Sequence, residues 1–148
     1  MGEGSMATKE TKESVMRKPK ILVVDDDPDL VRALRLRLRA HNCEVVTAGD
    51  GYSVIATAQK EHPDLIILDL GIPVGDGFVV LERLQSSDTL SAIPVIVLTA
   101  RDPQTNEERA MKAGAAAFFQ KPVDNDELLN VIRVSLPHRR SPEVPMLS

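Results

Sequence analysis

The sequence predicts an α/β fold, a doubly wound parallel sheet of five strands with five helices on its two faces. Two observations carry this. Short, wholly apolar runs such as Leu65-Ile66-Ile67-Leu68 and Val95-Ile96-Val97-Leu98 lack the alternation of a half-exposed strand, so they read as strands covered on both sides. Between such runs lie segments whose apolar residues recur at helical spacing, joined by short loops. Strand and helix alternate throughout, and right-handed crossovers then place the strands parallel with helices on both faces. A length of 148 residues suits one such domain, with no internal repeat or low-complexity segment.

Residues 1–18 are polar, with Gly, Ser, Thr, Lys and Glu, and are expected to be a disordered extension or the remnant of an expression tag. The folded domain is expected over 19–136. Lys20-Ile21-Leu22-Val23-Val24 is the first strand, ending in Asp25-Asp26-Asp27-Pro28. Asp27 before Pro28 makes an N-cap with proline at the first helical position. Leu30, Val31, Leu34 and Leu38 then form a core face, and Arg32, Arg35, Arg37 and Arg39 occupy the rest of that helix. Cys43 enters a short second strand at Val45-Val46. Gly49-Asp50-Gly51 is a turn, and Tyr52 to Lys60 is a helix with Val54, Ile55 and Ala58 inward, closed by His62-Pro63.

The third strand ends at Asp69 and opens into Gly71-Ile72-Pro73-Val74-Gly75-Asp76-Gly77, which is loop chemistry. The next helix turns Phe78, Val79, Leu81 and Leu84 inward and stops at Ser86-Ser87-Asp88. Ile93-Pro94-Val95-Ile96-Val97-Leu98-Thr99 is the fourth strand. The fourth helix runs from Thr105 to Ala113, with Ala110 and Met111 as its inner face and Gly114 closing it. Ala115 to Phe119 is the fifth strand, followed by Gln120-Lys121-Pro122. Asp124 caps a last helix carrying Leu128, Leu129, Ile132 and Leu136, and Pro137 stops it. Residues 137–148 read as a tail or a truncated linker. Five such units fit the flavodoxin-like strand order 2-1-3-4-5.

Composition excludes several functions. A net charge of −4 and an acidic balance argue against nucleic acid as a partner, and 3% aromatic residues leave no stacking platform for bases. No apolar run approaches the roughly 20 residues of a membrane span, and the N-terminus lacks a signal-peptide pattern, so a cytoplasmic location is expected. The single cysteine, Cys43, fits a reducing compartment and reads as a small buried apolar group.

In a parallel sheet every strand C-terminus lies on one edge. Strand 1 delivers Asp25 and Asp26 there, strand 3 Asp69, strand 4 Thr99 and strand 5 Lys121, and these four strands are neighbours in the order 2-1-3-4-5. Three carboxylates brought together repel unless a cation joins them. Oxygen-only ligands point to a hard metal, Mg²⁺ first, which brings phosphate oxygens with it. Lys121 and Thr99 can hold further oxygens of a phosphoryl group, as an ammonium and a hydroxyl donor. Asp69, central among them, is placed as a nucleophile that becomes an aspartyl phosphate.

The sequence here resembles the receiver domains of two-component response regulators. The resemblance runs from about Lys20 to Leu136. It rests on Ile21-Leu22-Val23-Val24-Asp25-Asp26-Asp27-Pro28, on Pro63-Asp64-Leu65-Ile66-Ile67-Leu68-Asp69-Leu70 with Pro73 and Asp76-Gly77, on Pro94 to Ala100, on Gly114-Ala115 and on Lys121-Pro122. It implies that Asp69 is the phosphoacceptor and that Asp25 and Asp26 bind Mg²⁺ together with Asp69 and the Gly71 backbone carbonyl. It implies that Thr99 is the switch hydroxyl, that Lys121 pairs with the phosphoryl group, that the Lys121-Pro122 peptide is cis, and that Phe118 is the aromatic that swings inward. The implied partners are a histidine kinase or histidine phosphotransfer protein, with the face of helix 4, strand 5 and helix 5 serving an unknown output partner or a missing output domain. Arg32, Arg35 and Arg39 fit the family's kinase-docking surface. Gly71 and Arg101, each two residues beyond a key strand end, are expected to tune the lifetime of the phosphorylated state.

Two other readings compete. Phosphohydrolases of the haloacid dehalogenase type also use a strand-end Asp, but they carry a second Asp two residues on, where this chain has Gly71. A receiver-like binding module independent of phosphorylation usually lacks an acidic residue, the Thr or the Lys, and all are present here.

Overall fold

The chain folds in strict alternation: β1 (Lys20–Val24), α1 (Pro28–Ala40), β2 (Glu44–Ala48), α2 (Gly51–Glu61), β3 (Leu65–Leu68), α3 (Gly77–Ser86), β4 (Val95–Thr99), α4 (Pro103–Lys112), β5 (Ala117–Gln120) and α5 (Asn125–Ser135). These elements come from a computed structural model that describes residues 17–137. The expectations for 1–16 and 138–148 lie outside the described residues. Pro19–Leu136 forms one compact unit.

The five strands form one parallel sheet in the order β2-β1-β3-β4-β5. The register pairs Val24 with both Ala48 and Leu68, and Thr99 with Gln120. The three central strands are apolar at nearly every position because both faces are covered. Alternation along each strand divides the interior into two cores. Leu22, Val24, Ile66, Leu68, Val95 and Val97 pack against α2, α3 and α4. Ile21, Val23, Leu65, Ile67, Ile96 and Leu98 pack against α1 and α5.

Each helix begins at an Asp N-cap: Asp27, Asp50, Asp76, Asp102 and Asp124 each accept from a backbone N–H of the first turn. This satisfies donors that the helix itself leaves unpaired. Asp102 caps α4 so that it starts at Pro103, two residues before the expected Thr105. The inner face of α3 is also shifted. Gly77, Val80, Leu81 and Leu84 follow the i, i+3, i+4, i+7 stripe with Phe78 beside it, so Val79 is turned outward at 41% exposure. On α4 only Ala110 is buried, and Met111, one residue further round, is 43% exposed.

Candidate active site

Backbone pairing carries past the strand ends and fixes the residues that follow. The Asp25 amide donates to the Ala48 carbonyl at 3.2 Å, and the Asp69 amide to Val24 at 3.0 Å. The Lys121 amide donates to the Thr99 carbonyl at 2.8 Å. Asp25 and Asp69 thus leave the adjacent strands β1 and β3, and Lys121 leaves β5 on the far side of β4, all at one sheet edge.

Their side chains meet. Lys121 Nζ donates to Asp25 Oδ2 at 2.7 Å and to Asp69 Oδ2 at 3.3 Å. One oxygen from each of Asp25, Asp26 and Asp69 lies within 4.8 Å of the others. Asp25 and Asp69 are buried, and Asp26 faces solvent. The second oxygen of each buried carboxylate is held by its own loop: Asp25 Oδ1 accepts from the Asp27 amide at 2.9 Å and Asp69 Oδ1 from the Gly71 amide at 3.0 Å. Three carboxylates beside one ammonium leave a formal negative surplus, and an all-oxygen donor set of this size fits a hard divalent cation.

Burial, the largest influence on Asp25, pushes its carboxyl above the usual range, against the lowering pull of the Lys121 hydrogen bond and the Asp27 amide. Burial also works against the Lys121 ammonium, but Asp25 and then Asp69 outweigh it and hold Lys121 above the ordinary lysine value. The two shifts differ in sense, since the charge of Lys121 is favoured and that of Asp25 is not. Both follow from geometry: one ammonium is shared by two carboxylates, of which Asp25 is the more enclosed.

Thr99 is 1% exposed at the end of β4. Its hydroxyl accepts from the Arg101 amide of its own loop at 3.3 Å. Phe118 is half-buried in β5 and packs against the α2–α4 core. The Lys121–Pro122 peptide is cis. Gly71 is exposed, and a Cβ there would stand 3.7 Å from Asp69 Oδ1, so any side chain at this position starts beside the carboxylate.

The loop after Asp69 is anchored at two points that composition did not reveal. The Gly51 amide donates to the Pro73 and Val74 carbonyls at 3.2 and 3.0 Å, and Val74 takes φ +52°, a costly conformation for a β-branched residue. At the other end Gly77 lies so close to Leu70 that a Cβ would come within 2.5 Å of its Cα. Arg101 is half-buried with its guanidinium 5.9 Å from the Phe78 ring centroid, and Arg109 of α4 lies over the same ring at 3.8 Å. The Phe78–Arg109 contact joins residues distant in sequence and had no signal in spacing.

The arginines of α1 separate. Arg32 and Arg39 are exposed, Arg32 within 3.9 Å of Asp29. Arg35 is half-buried, and its Nε is enclosed without a hydrogen-bond partner. Cys43 lies in the α1–α5 core, away from the acidic cluster.

Comparison with known proteins agrees with this arrangement. Residues 21–133 match the response regulator receiver domain family. Over 114 residues, 77% of this chain, the sequence is 40% identical to response regulator PleD of Caulobacter vibrioides, of which it spans 25%. It is 35% identical to protein PilH of Pseudomonas aeruginosa over 79% of this chain and 97% of PilH. The receiver domain of sensor histidine kinase PA1611 from Pseudomonas aeruginosa, with a magnesium ion coordinated in its active site cleft, superposes with a TM-score of 0.73 at 26% identity. That match covers 80% of this chain and 97% of that one.

Proposed function

This chain belongs to the response regulator receiver domain family of two-component signalling, and from that premise we propose that it takes a phosphoryl group onto Asp69 from a phosphohistidine donor. The observation that carries the reading is the convergence of Asp25, Asp26, Asp69 and Lys121 at the C-terminal edge of the sheet.

Asp69 attacks phosphorus with the oxygen that now faces Lys121. The P–N bond to the donor histidine breaks, its electron pair stays on the imidazole nitrogen, and a P–O bond to Asp69 forms. Asp25, Asp26, Asp69 and the Gly71 carbonyl are the residues that would hold Mg²⁺, which supplies neutralisation of phosphoryl charge when bound. Lys121 is already within reach of the Asp69 carboxylate and passes to the new phosphoryl oxygens. The Gly71 amide on Asp69 Oδ1 fixes the nucleophile's orientation, so little ordering remains to be done at the moment of transfer. Water later attacks phosphorus, releases inorganic phosphate and restores the carboxylate.

Signalling follows from Thr99. Its hydroxyl leaves the Arg101 amide for a phosphoryl oxygen, and Phe118 moves into the space vacated. The surface of α4, β5 and α5 shifts between two arrangements that both exist beforehand. The donor is a histidine kinase or histidine phosphotransfer protein that docks on Arg32, Arg35 and Arg39. The output is another protein surface or a further domain, and the site is read as working in the cytoplasm.

The test is incubation with Mg²⁺ and acetyl phosphate followed by intact mass, with Asp69→Asn alongside. A phosphoryl gain that requires Mg²⁺ and vanishes in the variant is the expected result. A folded wild-type protein that gains no mass leaves a binding module independent of phosphorylation.

A further inference from the structure

α4 is thinly held. Of its ten residues only Ala110 is buried. Between α3 and α4 lies an open cleft of about 470 Å³, walled by Glu82 on one side and by Gln104, Glu108 and Lys112 on the other. Arg109, which also lines it, reaches the Phe78 ring, with its guanidinium carbon 3.8 Å from the centroid. Phe78 itself is fixed: it is 1% exposed, its amide is held by Asp76, and the preceding Gly77 amide donates to Leu70, the residue after Asp69. The same ring supports Arg101, whose amide holds the Thr99 hydroxyl. One aromatic side chain is therefore the common rest for α4 and for the loop that restrains Thr99, and it is tied through two residues to Asp69.

We propose that the Arg109–Phe78 contact is a positioning element that sets the resting place of α4, and thereby how readily Thr99 is released toward a phosphoryl group on Asp69. This rests on the reading of Asp69 as the phosphoacceptor. A guanidinium on an aromatic face favours the resting arrangement by a modest amount, so its loss changes the balance severalfold without unfolding the helix. Arg109 is an exposed residue of α4 whose guanidinium caps the Phe78 ring, so replacing it removes no side chain from either core.

The experiment compares wild type, Arg109→Gln and Arg109→Lys. Hydrogen exchange is followed at the amides of residues 104–112, and the initial rate of phosphoryl uptake from acetyl phosphate with Mg²⁺ by intact mass. Arg109→Gln is expected to raise both α4 exchange and uptake by roughly two- to fivefold. Arg109→Lys, which keeps a cation near the ring, falls between, and exchange in β1 and β3 stays unchanged. A purely structural role for Arg109 moves the exchange but not the uptake, and that result overturns the proposal, as does an unchanged rate in both variants. Wild-type protein that takes no phosphate overturns the reading of Asp69 itself and the proposal with it.

Discussion

Lys121 sets one positive charge against Asp25 and Asp69, and the protonation of the site follows from the sharing. Asp25 is held above the usual carboxylate range by its burial, so the folded state keeps this proton longer than the unfolded chain does. The stability it contributes is complete below the unfolded value of about 3.9 and is lost as pH rises through the raised folded value. At pH 7 without divalent cations, Asp25→Asn is expected to stabilise the protein, seen as a higher urea midpoint. That gain should be absent at about pH 3, and a gain equal at both pH values refutes this account. Lys121, also raised, contributes up to the ordinary lysine value near 10.4 and loses that contribution only at higher pH. Arg101 lends itself to a kinetic test. Arg101→Ala is expected to change the dephosphorylation rate by up to roughly tenfold, and an unchanged rate separates Arg101 from the lifetime of the phosphorylated state.

The helices show which parts of the architecture could be read in advance. Asp27 and Asp124 were legible as caps because Pro28 follows one and a periodic apolar helix the other. Asp50 and Asp76 do the same work, but they sit among Gly residues that read as turn chemistry, and Asp102, though followed by Pro103 as Asp27 is by Pro28, precedes a helix whose apolar face is too weak to mark its start. Asp102→Ala is expected to cost about 1 kcal/mol and to increase exchange at residues 104–106 before the rest of the domain, because α4 has little burial to compensate. The inner face of α3 was misread at Val79 because two adjacent valines leave the phase of a short helix open, and Gly77 against Leu70 decides it. Gly77→Ala should therefore cost roughly 1–3 kcal/mol, seen as a lower urea midpoint. The strand-end residues Asp25, Asp26, Asp69 and Lys121 could be placed together because parallel strands share one edge. Phe78 with Arg101 and Arg109 could not, since contacts of side chains across loops leave no period in a sequence.

At the scale of the molecule, the order β2-β1-β3-β4-β5 was legible because strands covered on both faces have wholly apolar sequences and the helices between them enforce parallel crossovers. The same alternation gives the domain two cores that meet only through the sheet. Ile66→Val in one and Ile132→Val in the other should each cost about 0.5–1.5 kcal/mol, and the double variant should match their sum within about 0.5 kcal/mol. A larger departure, measured by urea unfolding, would show that the two faces share strain. The sheet of Ile, Leu and Val thus serves as insulation. The exposed face of α1 can be rewritten while α2, α3 and α4 on the opposite side keep their packing, so a change on one side of the domain need not be heard on the other.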